Sequence, residues 1–337
     1  MSIQLGTTIY SMTNEWLEGK YTLPQLIDEV GKRKLGPGLE MIGFQNLRGF
    51  PHKVDKADIK AFLQAIDRNE LVLTSLAGNA DIACHAKNWL DTDQSVEYMR
   101  PQIELAAQMG FPVMRIQIGL TPEVLEKLEP IAAKAKVKLG MEIHAPEGPC
   151  TPKVIATREV YDRIDSEYLG FVPDFSSCMR AIPPGMIAQL KKAGLSDGGV
   201  ALLLSNWEGK SAPYQRYMAF AEAAKSNNEP ELPIAQARLI FTMFGREQPE
   251  DWAEILDRTV HIHGKFYEVS EDCSVSPSID YERILAVFAK ANRTITMSSE
   301  WEGHAFWDSN EQCAFEMVRR HHIMCQSMLD RIASRRA

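Results

Sequence analysis

KLGMEIHA (138–145), YLGFVPDF (168–175), TVHIHGKF (259–266) and TITMSSEW (294–301) decide the fold of this chain. Each is a short apolar run that carries an acidic or histidine residue at or near its end: Glu142, Asp174, His263 and Glu300. If the runs are strands of a parallel barrel, their C-terminal ends converge on one face, which is where such barrels carry out chemistry. Three carboxylates and one imidazole with open positions suit a hard divalent cation such as Mn2+ or Mg2+ better than an ion that prefers thiolates. A metal site is therefore the first expectation.

Working outward, four similar runs precede these: IQLGTTIY (3–10), GLEMIGF (38–44), LVLTSLAG (71–78) and VMRIQIGL (113–120). Between the runs lie segments of helical periodicity, among them 22–33, 55–69, 95–110 and 121–136. Several open on Thr, Asp or Ser at a capping position, with Pro or an acidic residue in the first turn. Eightfold strand–helix alternation predicts an α/β fold of the (β/α)8 TIM barrel type rather than an open doubly wound sheet, whose Gly-rich dinucleotide fingerprint is also missing. A ninth apolar run, GVALLLSNW (199–207), follows SDGG and is read as a buried helix, since periodicity alone leaves short apolar runs ambiguous. Glu142 to Asp174 spans 32 residues and His263 to Glu300 spans 37, about one βα unit each, whereas Asp174 to His263 spans 89. The excess predicts a helical insertion between strands 6 and 7, about residues 178–255, inside a single domain covering 1–337. Loops after barrel strands are where function is elaborated.

The formal net charge of −8 argues against a protein that tracks nucleic-acid backbones, and small polar or sugar-like ligands are more natural partners. The start, MSIQLGTTIY, does not read as a secretory leader, and no apolar stretch approaches the roughly 20 residues of a membrane span. A cytoplasmic protein is expected. Six cysteines, Cys84, Cys150, Cys178, Cys273, Cys313 and Cys325, show no CxxC pairing and read as reduced structural thiols.

The motifs ExH (142–144), PDxS (173–176), HxHxK (261–265) and SxEWEG (298–303) resemble those of the xylose isomerase-like barrel superfamily of sugar isomerases and epimerases. That resemblance implies one Mn2+, Mg2+ or Co2+ held by Glu142, Asp174, His263 and Glu300. The stretches IYSMTNEW, YTLPQLIDEV, GPGLEMIGFQNLRGFP, VEYMRPQIELAAQMGFPVMRIQIG and KLGMEIHAP are similar to the α subunits of bacterial C-deglycosylation enzymes. Those enzymes cleave the C–C bond between a 3-oxo-glucosyl group and an aromatic aglycone, and their α subunits work with a small β-rich subunit. The resemblance implies a hetero-oligomer with a small β subunit here too. Many superfamily members carry a His three residues after the strand-six Asp, where this chain has Ser177.

The remaining candidates follow from alternation along strands. His144 shares the inward face of Glu142 and is the first choice of general base, the other reading being a residue that positions Glu142 or the substrate. Lys265 stands two residues after His263 and either stabilises a developing oxyanion or pairs with a strand-end acid. Glu302 shares a face with Glu300 and competes with it as a ligand; the superfamily pattern favours Glu300. Arg115 and Gln117 are expected to face the barrel interior, Arg115 steadying Glu142 or a sugar hydroxyl. His261 reads as a packed core histidine and His304 as a loop residue open to solvent or substrate. Trp301, Phe306 and Trp307 form either a platform for an aryl group or loop packing.

The leading expectation is a metal-dependent lyase that abstracts the C2 proton of a 3-oxo-glycoside and expels the C1 substituent by β-elimination. The alternatives are a divalent-metal-dependent ketose isomerase or epimerase acting on a keto-sugar, and a noncatalytic sugar-binding subunit of a complex.

Overall fold

Strands that are buried on both faces read as continuous apolar runs, and here each run contains one strand. The computed structural model of the chain describes residues 3–80, 89–117 and 119–335. Cys84 and residue 118 of the expected fourth strand lie outside them. Among the described residues there are eight parallel strands: β1 (Ile3–Thr8), β2 (Gly38–Ile42), β3 (Val72–Ala77), β4 (Val113–Ile116), β5 (Lys138–Ile143), β6 (Leu169–Pro173), β7 (Ile262–Phe266) and β8 (Ile295–Trp301). Their order is β6-β5-β4-β3-β2-β1-β8-β7. Parallel bridges Phe171↔Thr259 and Asp174↔His263 draw β6 and β7 together. The result is the expected (β/α)8 barrel.

Local chemistry sets the element ends. The expected seventh strand began at 259, but Thr259 Oγ1 donates to Ile255 O at 3.0 Å and closes the preceding 3-10 helix (Pro249–Arg258), so β7 starts three residues later. Between β6 and β7 stand helices Pro184–Lys192, Asp197–Trp207, Pro213–Ser226, Glu231–Gln236 and Arg238–Met243. The ambiguous run 199–207 is helical because Ser196 Oγ accepts from Gly199 N at 3.0 Å, capping the first turn. Cys150, Cys178, Cys273, Cys313 and Cys325 are free thiols. No described helix is long and apolar enough to cross a membrane.

The terminal helix (Ala314–Ser334) locks β1 and β8 from outside, with His322 Nε2 3.0 Å from Gly6 O. Inside, Gly6 and Gly38 are paired across β1 and β2, and a Cβ on Gly6 would lie 2.8 Å from Gly38 O and 2.9 Å from its Cα. Both obstacles are backbone and cannot rotate away. Gly6→Ala is expected to destabilise the chain by about 1–3 kcal/mol, the cost of overpacking a filled core, read as a lower urea midpoint at unchanged slope. An unchanged midpoint would show that the two strands can separate there at no cost.

Candidate metal centre and active site

Along β7 and the residue before it, His261, His263 and Lys265 alternate with Ile262, Gly264 and Phe266. Phe266 stacks on His321 of the terminal helix with ring centroids 4.1 Å apart, so its face looks out and the His/Lys face looks into the barrel. β8 repeats the pattern: Ser299 Oγ lies 2.7 Å from His321 Nδ1 on the outside, and Ser298 Oγ lies 3.0 Å from His261 Nε2 on the inside. Glu300 shares the inner face. Glu142 closes in from β5, and Asp174 follows β6, where its Oδ1 accepts from Ser176 N at 2.8 Å and caps the 3-10 turn Phe175–Ser177.

These placements bring Glu142, Asp174, His263 and Glu300 together, all buried, with one potential ligand atom from each lying within 4.8 Å of the others. His263 Nδ1 is 2.7 Å from Glu142 Oε1 and 3.1 Å from Glu300 Oε2, while its Nε2 is 2.9 Å from Glu40 Oε1. Lys265 Nζ sits 3.1 Å from Asp174 Oδ2, 3.4 Å from Glu300 Oε1 and 3.0 Å from Glu302 Oε2. Arg115 Nη1 is 3.5 Å from Glu142 Oε2. His144 Nδ1 lies 2.8 Å from Ala145 O and is the donor, which leaves the Nε2 lone pair facing Lys265 Nζ at 3.3 Å and 3.9 Å from Asp174 Oδ2.

Among the described residues, five buried carboxylates at this end of the barrel (Glu40, Glu142, Asp174, Glu300, Glu302) face two permanent cations, Arg115 and Lys265. Burial alone would drive the proton off Lys265, but Asp174, Glu300 and Glu302 hold its ammonium well above the usual lysine range. Burial opposes the charge on His263 too, and Glu300 and Glu40 outweigh it and hold the ring protonated. Burial would raise Glu302, yet Lys265 brings it down to about 2. The excess negative charge that pulls a proton onto His263 is the same excess that attracts a divalent cation. The donor set fits one: three hard carboxylates and one imidazole, with Asp174 Oδ2 and Glu300 Oε2 near cations yet accepting no well-aligned hydrogen bond.

The other sequence candidates separate. Glu302 lies at the rim, accepting from Tyr10 Oη at 3.1 Å and Tyr267 Oη at 3.2 Å. Gln117 Oε1 accepts from Ala80 N at 3.1 Å, so it braces the loop after β3. Trp301 lies on the face of β8 opposite Glu300, is 1% exposed, and donates its indole N–H to Tyr267 O at 2.9 Å; its ring is packing and offers no open face. His304 is half-buried, edge-on to Tyr10 at 4.9 Å and to Trp301 at 6.1 Å, rather than open to solvent. His261 is a buried histidine, as expected, bonded to Ser298 and 3.7 Å from Glu40.

Sequence reasoning missed Glu40, Tyr10 and Tyr267. A single Glu within the apolar strand GLEMI was the available signal for Glu40, because a carboxylate that cannot reach solvent needs a partner. It sits behind His263 and fixes which ring nitrogen faces the other carboxylates, the usual arrangement behind a metal-binding histidine.

A nearly closed parallel barrel whose strand ends gather acids, an imidazole and a lysine around one point defines the class. The chain belongs to the xylose isomerase-like TIM barrel family, whose model matches residues 33–317. It is 34% identical over 329 residues to a C-glycoside deglycosidase alpha subunit of Arthrobacter globiformis, covering 97% of this chain and 93% of that one. It is 32% identical to a 3'-dehydrocarminate deglycosidase alpha subunit of Microbacterium sp, covering 98% and 96%. Among solved structures, L-ribulose 3-epimerase superposes with a TM-score of 0.56 at 11% identity, covering 99% of this chain and 96% of that chain, a likeness of fold.

His304 supplies a test of the site's electrostatics. Burial lowers its pKa, Glu302 opposes and Lys265 adds to the lowering, and the ring is brought from 6.5 to about 4. Between those values the unfolded chain carries a proton that the folded chain refuses, so His304 withdraws stability as pH falls through that window. Imidazole NMR should place its midpoint near 4, and His304→Asn should flatten the loss of urea stability between pH 6.5 and 4. A midpoint near 6.5 would mean a solvated ring.

Proposed function

We propose that the chain is the catalytic α subunit of a metal-dependent lyase that cleaves 3-oxo-C-glycosides at the bond between C1 and the aglycone. The observation that carries this reading is the cluster of Glu142, Asp174, His263 and Glu300 with Nε2 of His144 at its edge, 3.3 Å from Lys265 Nζ. The curated relatives, named as C-glycoside deglycosidase alpha subunits, supply the substrate class. The four clustered side chains would hold the ion, Mn2+, Mg2+ or Co2+. Bound there, the ion would polarise the 3-oxo sugar and favour its enolate.

The chain's own groups do the rest. The 3-oxo group makes the C2–H acidic, and His144 Nε2 takes that proton. Lys265, fixed as an ammonium by three carboxylates, donates to the developing oxyanion. The pair left on C2 then forms the C1=C2 double bond as the C1–aglycone bond breaks. The aglycone carbon departs with the bonding pair of the broken C1–C bond and takes up a proton, which the now charged His144 can return. Arg115, with Nε and Nη1 unbonded beside Glu142, orients Glu142 and a sugar hydroxyl. The name α subunit in the relatives supports a small β subunit as the partner in a hetero-oligomer.

Elemental analysis of the purified chain should find near-stoichiometric divalent metal, falling by about tenfold or more in Asp174→Asn, which removes a charged ligand. His144→Ala should keep its metal and lose aglycone release from an aryl 3-oxo-C-glucoside by about 100- to 10,000-fold, the usual worth of a general base. Release that survives His144→Ala, or epimerisation of free ketoses with no aglycone released, would overturn the reading.

A further inference from the structure

Beside the acidic cluster the barrel mouth has an apolar side room. Its inner part, about 80 Å³, is floored by Glu302 and Tyr267 and walled by Met186, Leu239, Met243, Phe244 and Phe306. Its outer part, about 250 Å³, shares Met186, Leu239, Ala305 and Phe306 with the inner one and is rimmed by Gln189, Lys192 and Gln236. The two form one slot running from Glu302 to the surface. Glu302 is also 3.0 Å from Lys265 Nζ, which touches Asp174 and Glu300, so the inner end of the slot lies beside the reaction centre. The larger cavity of about 720 Å³ near Trp16 and Phe44 shares no residue with the cluster.

The lining selects the occupant. Tyr267 stacks with Phe306 at 6.1 Å and meets Phe244 edge-on at 5.0 Å, and two thioethers complete the wall. Methionine sulfur and aromatic edges favour a flat ring, and methionine adapts to rings of different outline. A sugar, with a hydroxyl on nearly every carbon, would leave those groups unpaired against such walls. The amides of Gln189 and Gln236 at the rim suit hydroxyls at the far end of a ring system, while Lys192 beside them is paired with Glu311 at 3.1 Å. Leu239 is 45% exposed, an apolar surface that an aromatic ligand would cover.

We infer that this slot, built largely from the insertion between β6 and β7, binds the hydroxylated aromatic aglycone and sets which aglycones are accepted. The inference rests on the deglycosidase reading for the identity of the sugar half, and on the slot alone for the aromatic half. Substrate then lies with its sugar at the acidic cluster and its ring past Glu302 between Met243 and Phe306.

The test uses the full chain loaded with Mn2+ and 2-naphthol as the probe, titrated by fluorescence. Leu239→Asp should weaken naphthol binding by about tenfold or more, because it sets a charge against an apolar ligand. Leu204→Asp, 38% exposed on the same insertion and outside the slot, controls for surface charge, and thermal melts verify that both variants fold. Phe306→Ala should also weaken the probe. Equal affinity in Leu239→Asp and Leu204→Asp, or no saturable binding to the parent chain, overturns the inference. Naphthol binding that depends on Leu239 in a chain that releases no aglycone would leave the slot standing and remove the deglycosidase reading. Aglycone release with a KM indifferent to Leu239→Asp would do the reverse.

Discussion

Five carboxylates held out of water at one end of a barrel repel one another and are each costly to desolvate, and the mouth of this protein is organised around that cost. Lys265 answers most of it: one ammonium reaches Asp174, Glu300 and Glu302 at 3.1, 3.4 and 3.0 Å. Arg115 answers for Glu142, and His263 bridges Glu142, Glu300 and Glu40 through its two nitrogens. Replacing such a cluster with packed apolar residues is often neutral or stabilising, so stability alone gives no reason to keep it. Its chemistry does. A buried site that holds surplus negative charge is suited to a cation.

Glu302 stands at the meeting of this acidic site and the apolar slot. It is clamped by the hydroxyls of Tyr10 and Tyr267 and by Lys265. Burial and the Glu302 charge push both phenols well above the usual tyrosine range, so both remain donors. Tyr10 comes from the loop after β1 and His304 from the loop after β8, and their rings meet edge-on at 4.9 Å. The first and last strand-end loops are thereby tied together over the rim, and the position of Glu302 between the polar and apolar halves is fixed by hydrogen bonds rather than by backbone alone.

The barrel and its acidic cluster were legible because both follow from short-range rules. Strands buried on both faces must be continuously apolar, and a charged residue at the end of such a run has little reason to be there without a task. Residues whose role depends on distant elements were harder to read. Glu40 looks like an interruption in GLEMI until barrel closure sets it against His263, 223 positions away. His304 reads from sequence as open to solvent because Tyr10, nearly the whole chain away, is what covers it. Trp301 is different: the same alternation that put Glu300 inside already assigned its neighbour to the outer face. Its proximity in sequence to the ligand outweighed a parity rule that was available.

The insertion explains why the weakest seam of the barrel holds its most exacting residue. Among the described residues, β6 and β7 meet through two isolated bridges rather than a full ladder. Asp174, fully buried, stands on that seam. The segment after the insertion's helices returns across it: Gly245 N donates to Ser176 O at 2.8 Å, Met179 N donates to Gly245 O at 3.0 Å and Glu247 N donates to Ser177 O at 2.8 Å. A Cβ on Gly245 would fall 2.6 Å from Ser177 O, so only glycine permits the approach. Gly245 directly follows Phe244 and lies two residues after Met243, both walls of the slot. The segment that shapes the apolar side room is thus the one that holds the turn carrying Asp174. Three backbone hydrogen bonds thus join the stretch that follows Met243 and Phe244 to the turn that follows Asp174, the carboxylate most deeply set in the cluster.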